Sequence, residues 1–210
     1  MGSKQQAILR AYEFYAKAPI LYDALHRHSP LRKKAISLLG LKPGSRVLDL
    51  GCGTGLSFPS LREKIGPSGL IVGIDFSPAM ISKAASRVGK ARWKNVELHC
   101  ANGESLKLKK NSFDAVLAFI SLSAMNNWKK ALKNAMDALK HGGKVVIVDG
   151  KPSSSKLINF MLPLLRWNDS WYGERDLLKE IALRFGSRII EKKEFSLGTQ
   201  FLMVLEKWTG

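Results

Sequence analysis

The sequence predicts an α/β fold with a seven-stranded, mostly parallel sheet, helices on both faces of the sheet and a C-terminal antiparallel hairpin. Three observations support this prediction. Short apolar segments alternate with helical segments between residues 46 and 148, as in parallel strands joined by helical crossovers. The first apolar segment leads directly into a loop with three alternate glycines. The last two apolar segments are separated only by Gly198, as in a hairpin.

The first forty residues predict helices rather than strands. Apolar residues recur at helical spacing over residues 4–17 and again over residues 20–25, with Pro19 between the two segments. Ser29-Pro30 predicts the start of a third helix, because serine caps helices and proline suits the first helical position. Gly40 is expected to end that helix.

The length and composition indicate a single domain with a short addition. A chain of 210 residues can bury a complete α/β core. Hydrophobic residues make up 45% of the chain and charged residues 24%, which argues against wholesale disorder. We expect a helical segment, residues 1–40, that acts as a lid or contacts the substrate, followed by a main domain, residues 41–210.

Five strands and three helices are predicted to alternate after residue 45. The predicted strands are Arg46–Leu50, Leu70–Ile74, Val96–Ala101, Phe113–Ile120 and Lys144–Val148. The predicted helices are Leu56–Ile65, Pro78–Ala91 and Trp128–Leu139. His141-Gly142-Gly143 is expected to end the last of these helices, because glycine is a poor helix former.

The pattern changes beyond residue 150. The segment 157–167 is strongly apolar, and it fits either an ordinary core helix or a lid that docks on lipid. Residues 174–185 have helical spacing. Residues 188–197 and 199–208 are predicted to form the two strands of the hairpin.

The net charge of +17 favours an anionic partner, such as nucleic acid, an acidic membrane surface or a phosphorylated substrate. Residues 1–45 are the most basic part, with eight Lys and Arg against two Asp and Glu. A basic helix with aromatic residues is typical of proteins that lie on anionic lipid, and it is also typical of an ordinary solvated face. A lysine-rich surface without a specific partner is the alternative explanation.

The cysteines and the apolar runs suggest the compartment. Cys52 and Cys100 match neither a zinc site nor a disulfide framework, so no metal is predicted and a reducing cytoplasm fits best. No run reaches the ~18 apolar residues of a membrane-spanning helix. We expect a cytoplasmic protein whose membrane contact, if any, is peripheral and on the inner face.

Polar residues and glycines follow each of the first four predicted strands. Residues 49–55 read Asp-Leu-Gly-Cys-Gly-Thr-Gly, Asp75 follows the second strand, Asn102-Gly103 the third and Ser121 the fourth. The carboxyl ends of parallel strands meet at one edge of a sheet, so these residues are expected to converge on a ligand. Asp75 is placed to accept hydrogen bonds from ribose hydroxyls. The G-x-G-x-G spacing lacks the G-x-G-x-x-G register of pyrophosphate sites, which favours a nucleoside with an amino-acid tail.

Residues 47–55, 71–80 and 139–144 resemble the motifs of class I S-adenosylmethionine-dependent methyltransferases. The resemblance implies a Rossmann-like fold, S-adenosylmethionine as cofactor and S-adenosylhomocysteine as product. It also implies that Asp49 and the glycines hold the methionine moiety, that Asp75 holds the ribose, and that Phe76 and Met80 flank the adenine. The cofactor-binding residues expected from the strand ends and this resemblance are Asp49, Gly51, Cys52, Gly53, Thr54, Gly55, Asp75, Phe76, Met80, Asn102, Gly103, Glu104, Phe119 and Ser121.

The segment 121–128, Ser-Leu-Ser-Ala-Met-Asn-Asn-Trp, bears on the methyl acceptor. It is similar to the Ser-Leu-Ser-Met-Ile-Pro-Asp-Trp stretch of bacterial phosphatidylethanolamine and betaine-lipid N-methyltransferases. Tyr22-Asp23 resembles an element that quinone C-methyltransferases share. These resemblances imply an amine-bearing phospholipid head group as acceptor at a membrane surface, with Tyr12, Tyr22, His26 and Ser123 as candidates for positioning it.

Other acceptors stay open at this point. A quinone or another small molecule fits the same motifs. RNA fits the charge, but residues 118–123 resemble neither the Asn-Pro-Pro-Tyr motif of adenine methyltransferases nor the Pro-Cys motif of cytosine C5 enzymes. We therefore expect nucleic acid less than a lipid or small molecule.

Overall fold

The structure, a computed structural model, describes residues 29–165, 175–185 and 188–208. Its strands are β1 (Arg46–Leu50), β2 (Leu70–Asp75), β3 (Val96–Cys100), β4 (Phe113–Phe119), β5 (Leu139–Gly150), β6 (Ile189–Phe195) and β7 (Gln200–Glu206). Its helices are α1 (Ser29–Ser37), α2 (Phe58–Ile65), α3 (Pro78–Lys90), α4 (Trp128–Ala138), α5 (Lys156–Leu165) and α6 (Leu177–Phe185). A 3₁₀ turn, Leu122–Ala124, follows β4.

The seven strands form one sheet in the order β3-β2-β1-β4-β5-β7-β6. Strands β1 to β5 pair in parallel, and β7 lies antiparallel between β5 and β6. The predicted fold class is thereby confirmed, including the C-terminal hairpin. The strand order reverses between β1 and β4, so the crevice for a ligand opens beyond the carboxyl ends of these two strands.

Helices cover both faces of the sheet because successive strand residues point to opposite sides. On one face, Leu48 and Leu50 pack with buried residues of α4, among them Trp128. On the other face, Val47 packs with residues of α1 and α2, among them Phe58. Within the described ranges, no helix is long and apolar enough to cross a membrane.

The entry into β5 differs from the prediction. Helix α4 ends at Ala138, and β5 already begins at Leu139, so His141-Gly142-Gly143 lies inside the strand and does not end a helix. Gly142 has a φ of +73°, and its N–H donates to the Lys207 carbonyl at 2.7 Å. The Lys207 N–H donates in turn to the Gly143 carbonyl at 2.9 Å. Pairing with the end of the chain therefore recruits these residues into the sheet.

Several predicted bounds shift by a few residues. Helix α1 ends at Ser37 rather than Gly40, and α2 begins at Phe58 rather than Leu56 because turns occupy residues 54–57. The apolar segment predicted from residue 157 begins as α5 at Lys156. The two helices predicted within residues 4–25 lie outside the described residues.

Lys207 joins the C-terminal strand to the end of α4. Its ammonium donates to the backbone carbonyls of Leu139 at 2.6 Å and Asp137 at 3.1 Å, and to the Asn111 side chain at 3.0 Å. We expect Lys207→Met to lower the free energy of unfolding by about 1–2 kcal/mol, because these carbonyls lose a charged donor. Urea denaturation measures the change. The exposed Lys94 is the control, and Lys94→Met should change stability by less than about 0.5 kcal/mol.

Candidate functional site

The glycine loop after β1 forms the floor of a cleft at the carboxyl ends of β1, β2 and β4. The cleft encloses about 900 Å³ including its open mouth. Gly51 and Gly53 have φ values of +78° and +54°, which residues with side chains rarely adopt. The N–H groups of Gly51 and Cys52 donate to the Ile74 carbonyl at 2.8 and 2.9 Å, which folds the loop back onto β2. The loop backbone is thus fixed before any ligand binds.

Asp49, near the end of β1, has an unsatisfied carboxylate oxygen and lines the cleft. Its side chain is 1% exposed, and its Oδ2 atom has no hydrogen-bond partner although it borders the cleft. Burial raises the pKa of Asp49 to about 7, against the opposing effect of the Arg32 guanidinium. A buried carboxylate oxygen without a partner costs free energy, and a ligand ammonium would relieve that cost. The site therefore fits the amino group of an amino-acid tail.

Asp75, at the end of β2, is held by the backbone around it. Its Oδ1 accepts from the Ser77 N–H and its Oδ2 from the Gly53 N–H, both at 2.9 Å. Burial raises the pKa of Asp75 to about 6, although these hydrogen bonds oppose the shift. Each carboxylate oxygen keeps a second lone pair, so Asp75 can still accept hydrogen bonds from ribose hydroxyls. The backbone contacts orient the carboxylate for that task.

The structure brings most of the predicted cofactor residues together around the cleft. Gly55 lies outside its lining. A Cβ there would sit 2.5 Å from the Phe58 ring, so Gly55 makes room for a core side chain of α2. The predicted residues that do line the cleft are Asp49, Gly51, Cys52, Gly53, Thr54, Asp75, Phe76, Met80, Asn102, Gly103, Glu104, Phe119 and Ser121.

The predicted acceptor-positioning residues are placed less directly. Ser123 lies next to the cleft but outside its lining, and its backbone N–H donates to Asp149. Tyr12, Tyr22 and His26 lie outside the described residues.

Asp149 in β5 fixes the loop that follows β4. Its side chain is 0% exposed, and its Oδ2 accepts from the N–H groups of Ser121 at 3.2 Å and Ser123 at 3.1 Å. Burial raises the pKa of Asp149, and hydrogen bonds from Ser123 and neighbouring backbone groups oppose the shift. Sequence reasoning did not select Asp149. A single acid in the otherwise apolar run 145–149 is the signal that could have identified it.

Arg32 in α1 is a second residue of the cleft that sequence reasoning missed. Its Nη1 donates to the Ser57 hydroxyl at 2.8 Å, and its guanidinium lies 3.9 Å from the centre of the Phe119 ring. In the sequence it belongs to a basic run with Lys33 and Lys34, both of which are exposed. Arg32 lies three and four residues before Ala35 and Ile36, which are buried. This helical spacing is the signal that could have placed Arg32 on the buried face of α1.

Comparison with known proteins gives the family. Residues 41–186 match the family model described as a methyltransferase domain. A demethylmenaquinone methyltransferase from Bacillus cereus is 32% identical over 146 residues, which are 67% of this chain and 62% of that protein. The chain thus spans 62% of the length of this curated relative.

Two solved structures show the same fold. An S-adenosylmethionine-dependent methyltransferase from Aquifex aeolicus superposes with a TM-score of 0.64 at 23% identity, covering 83% of this chain and 88% of that chain. An N-methyltransferase from Haemonchus contortus, in complex with phosphomonomethylethanolamine and S-adenosylhomocysteine, superposes with a TM-score of 0.67 at 18% identity, covering 86% and 53%. The family supports S-adenosylmethionine as the cofactor, as the motifs imply. The chain belongs to the methyltransferase domain family and has the class I S-adenosylmethionine-dependent methyltransferase fold.

Proposed function

We propose that this protein transfers a methyl group from S-adenosylmethionine to a ring carbon of a lipid-soluble hydroquinone. One observation supports the proposed methyl donor: Asp49, Asp75 and the glycine loop all line the same cleft. The acceptor is supported by the relatedness to the B. cereus demethylmenaquinone methyltransferase. Bound S-adenosylmethionine supplies an electrophilic methyl group.

In this proposal the residues of the chain bind and orient the reactants, which is a large part of the catalysis of a bimolecular transfer. Asp49 holds the amino group of the cofactor tail and Asp75 holds the ribose. Phe76 and Met80 flank the adenine, and Asn102 accepts from its amino group. The loop after β4, which Asp149 holds through backbone N–H groups, contributes Ser121 to the wall of the cleft, and we assign the acceptor to this side.

An amine-bearing phospholipid head group is the second candidate acceptor. The resemblance of residues 121–128 to lipid N-methyltransferases favours it. Leu157 and Phe160 of α5 are 67% and 76% exposed, and with the net charge of +17 they suit peripheral contact with the anionic inner face of a membrane. Such contact would serve either acceptor, since both reside in lipid. Residues 1–40 remain the candidate lid.

Methyl transfer to defined vesicles tests both acceptors. Pure protein is incubated with methyl-labelled S-adenosylmethionine and anionic vesicles that contain reduced demethylmenaquinone or phosphatidylethanolamine, and with RNA in a separate arm. We expect label in the quinone fraction. Label in phospholipid alone would favour phosphatidylethanolamine over the quinone as the acceptor. Label in RNA alone would contradict both proposed acceptors. The Asp75→Asn variant, which weakens ribose binding, is the matched control for background transfer.

A further inference from the structure

The start of α5 and the tip of the β6–β7 hairpin lie at the same edge of the sheet as the cleft. Strand β5 runs parallel to β4 and ends at Gly150, which pairs with Gln200 at the start of β7. The hairpin therefore turns beside the carboxyl end of β5. Adjacent strands lie ~4.8 Å apart. The turn is thus two to three strand spacings from the end of β4, where the cleft opens.

Polar contacts fasten the connection between β5 and α5 to this hairpin tip. The Ser153 hydroxyl donates to the Leu197 carbonyl at 2.8 Å. The Lys151 ammonium lies 3.0 Å from a carboxylate oxygen of Glu194. The Asn159 side chain of α5 donates to the Ser153 carbonyl and accepts from the Ser153 N–H, each at 2.8 Å. Helix α5 and the hairpin tip thus form one surface, although 44 positions separate Ser153 from Leu197 in the chain.

Three large apolar side chains on this surface are exposed to solvent. Leu157 and Phe160 belong to α5, and Leu197, which is 77% exposed, lies at the hairpin tip. Leu197 also has a φ of +57°, a conformation that strains any residue with a side chain. Neither the strain nor the exposure of Leu197 stabilises the folded chain. Burial of these three side chains in another apolar phase would be favourable.

The charge of the two segments favours an anionic partner. Residues 151–160 and 191–200 together contain four lysines and two glutamates, an excess of two positive charges. Lys156 and Lys192 are exposed. Apolar side chains among exposed lysines match the acyl chains and the head groups of an anionic lipid bilayer. A second copy of this chain is a poorer partner, because two molecules with a net charge of +17 repel each other.

We propose that Leu157, Phe160 and Leu197 form a docking edge that inserts into the surface of an anionic lipid bilayer. The cleft then opens beside the bilayer, so that a lipid-soluble acceptor can enter it without crossing bulk water. The inference adds the hairpin tip to the membrane contact and fixes which edge of the sheet faces the lipid. It rests on the proposed residence of the acceptor in lipid and is independent of the chemical identity of the acceptor.

Sedimentation of the 210-residue protein with vesicles tests the docking edge without any methyl transfer. One set of vesicles contains phosphatidylglycerol and phosphatidylcholine in equal amounts, and the other contains phosphatidylcholine alone. We expect the wild type to bind the anionic vesicles at least about tenfold more tightly than the neutral ones. The variant Leu157→Ser/Phe160→Ser should bind the anionic vesicles about tenfold more weakly than the wild type, and Leu197→Ser about threefold more weakly, because less apolar surface enters the lipid.

Leu183→Ser is the matched control. Leu183 in α6 is 79% exposed, much like Leu197, but its neighbours Arg184 and Phe185 lie beside the end of α4, at the opposite edge of the sheet. This variant should bind both kinds of vesicle like the wild type. All of these substitutions replace exposed side chains, so the midpoints of thermal unfolding should match that of the wild type.

Methyl transfer gives a second measurement of the docking edge. Transfer to demethylmenaquinone in the anionic vesicles should fall in the docking-edge variants in proportion to vesicle binding. Transfer to a naphthohydroquinone without an isoprenoid chain, supplied in solution, should equal that of the wild type, because this acceptor does not enter from lipid.

Several results would overturn the inference. A wild type that stays in the supernatant has no docking edge, and docking-edge variants that pellet like the wild type have their membrane contact elsewhere. Weaker binding in Leu183→Ser alone would assign the contact to the opposite edge. A vesicle-free dimer that Leu197→Ser dissociates, measured by analytical ultracentrifugation, would assign this surface to a second copy of the chain. If vesicle binding follows the expected pattern and no acceptor is methylated, only the acceptor assignment fails.

Discussion

S-adenosylhomocysteine is expected to bind at least about a hundredfold more weakly at pH 5 than at pH 8, because its amino group needs the ionised form of Asp49. Burial raises the pKa of Asp49 to about 7, so this carboxyl is mostly protonated at pH 5 in the ligand-free protein and mostly ionised at pH 8. Asp75, with a pKa of about 6, adds to the loss at the acidic end. Binding near pH 6 should therefore release protons to the buffer.

Calorimetry across this pH range, in two buffers of different ionisation enthalpy, measures both the affinity and the released protons. The Asp49→Asn variant keeps the shape of the side chain but cannot ionise. It should bind weakly at every pH and keep only the smaller dependence that Asp75 contributes. A wild-type affinity that is flat from pH 5 to pH 8 would show that the amino group does not bind to Asp49.

The same two carboxyls make the stability of the ligand-free protein depend on pH. Their folded pKa values lie above those of an unfolded chain, so the folded protein retains protons that the unfolded chain releases. The stabilisation of the folded state by protons bound to Asp49 and Asp75 is therefore fully present below about pH 4 and is lost as the pH rises toward about 7. Asp114, whose pKa is lowered by hydrogen bonds from Arg46 and Lys140 despite some desolvation, acts in the opposite sense and only at acidic pH.

Gly51→Ala is expected to lower the free energy of unfolding by about 2–4 kcal/mol and to weaken cofactor binding. An alanine Cβ would lie 2.4 Å from the Cβ of Ser121, which is closer than carbon atoms can approach. The φ of +78° adds backbone strain for any residue with a side chain. The loop after β1, the loop after β4 or both must move, and the cleft lies between them. Urea denaturation and calorimetry with S-adenosylhomocysteine measure the two effects.

Two further variants distinguish the effect of backbone strain at residue 51 from the effect of the steric clash with Ser121. Gly40 has a similar φ of +68° and open space where a Cβ would stand, so Gly40→Ala should cost only about 1 kcal/mol. The double variant Gly51→Ala with Ser121→Gly removes the colliding Cβ and should recover part of both losses. If Gly51→Ala is no less stable than Gly40→Ala, the two loops are not in close contact.

The main features of the candidate cofactor site were predictable because they follow from sheet topology. Asp49 and Asp75 stand at or near the ends of apolar runs, and parallel strands bring such ends together whatever the details of the helices. The glycines were predictable as a loop but not in their separate roles. Gly51 leaves room for a neighbouring loop and Gly55 for a ring of the core, and the spacing of the letters is the same in both cases.

Features that depend on distant partners were not predictable. Residues 141–143 have the local pattern of a helix end, but hydrogen bonds to Lys207 hold them in the sheet. The sequence alone does not distinguish Arg32 from Lys33 and Lys34. The packing of α1 places only Arg32 of these three residues at the cleft. In both cases the deciding contact is made by residues far apart in the chain, which no short window of sequence contains.

Asp149 holds the loop after β4 through backbone N–H groups, and every residue type except proline offers such a group. A substitution at position 123 that keeps the backbone N–H therefore keeps one of the contacts that hold the loop. Variation of the side chains in this loop is therefore compatible with an unchanged floor of the cleft, which the glycine loop after β1 forms.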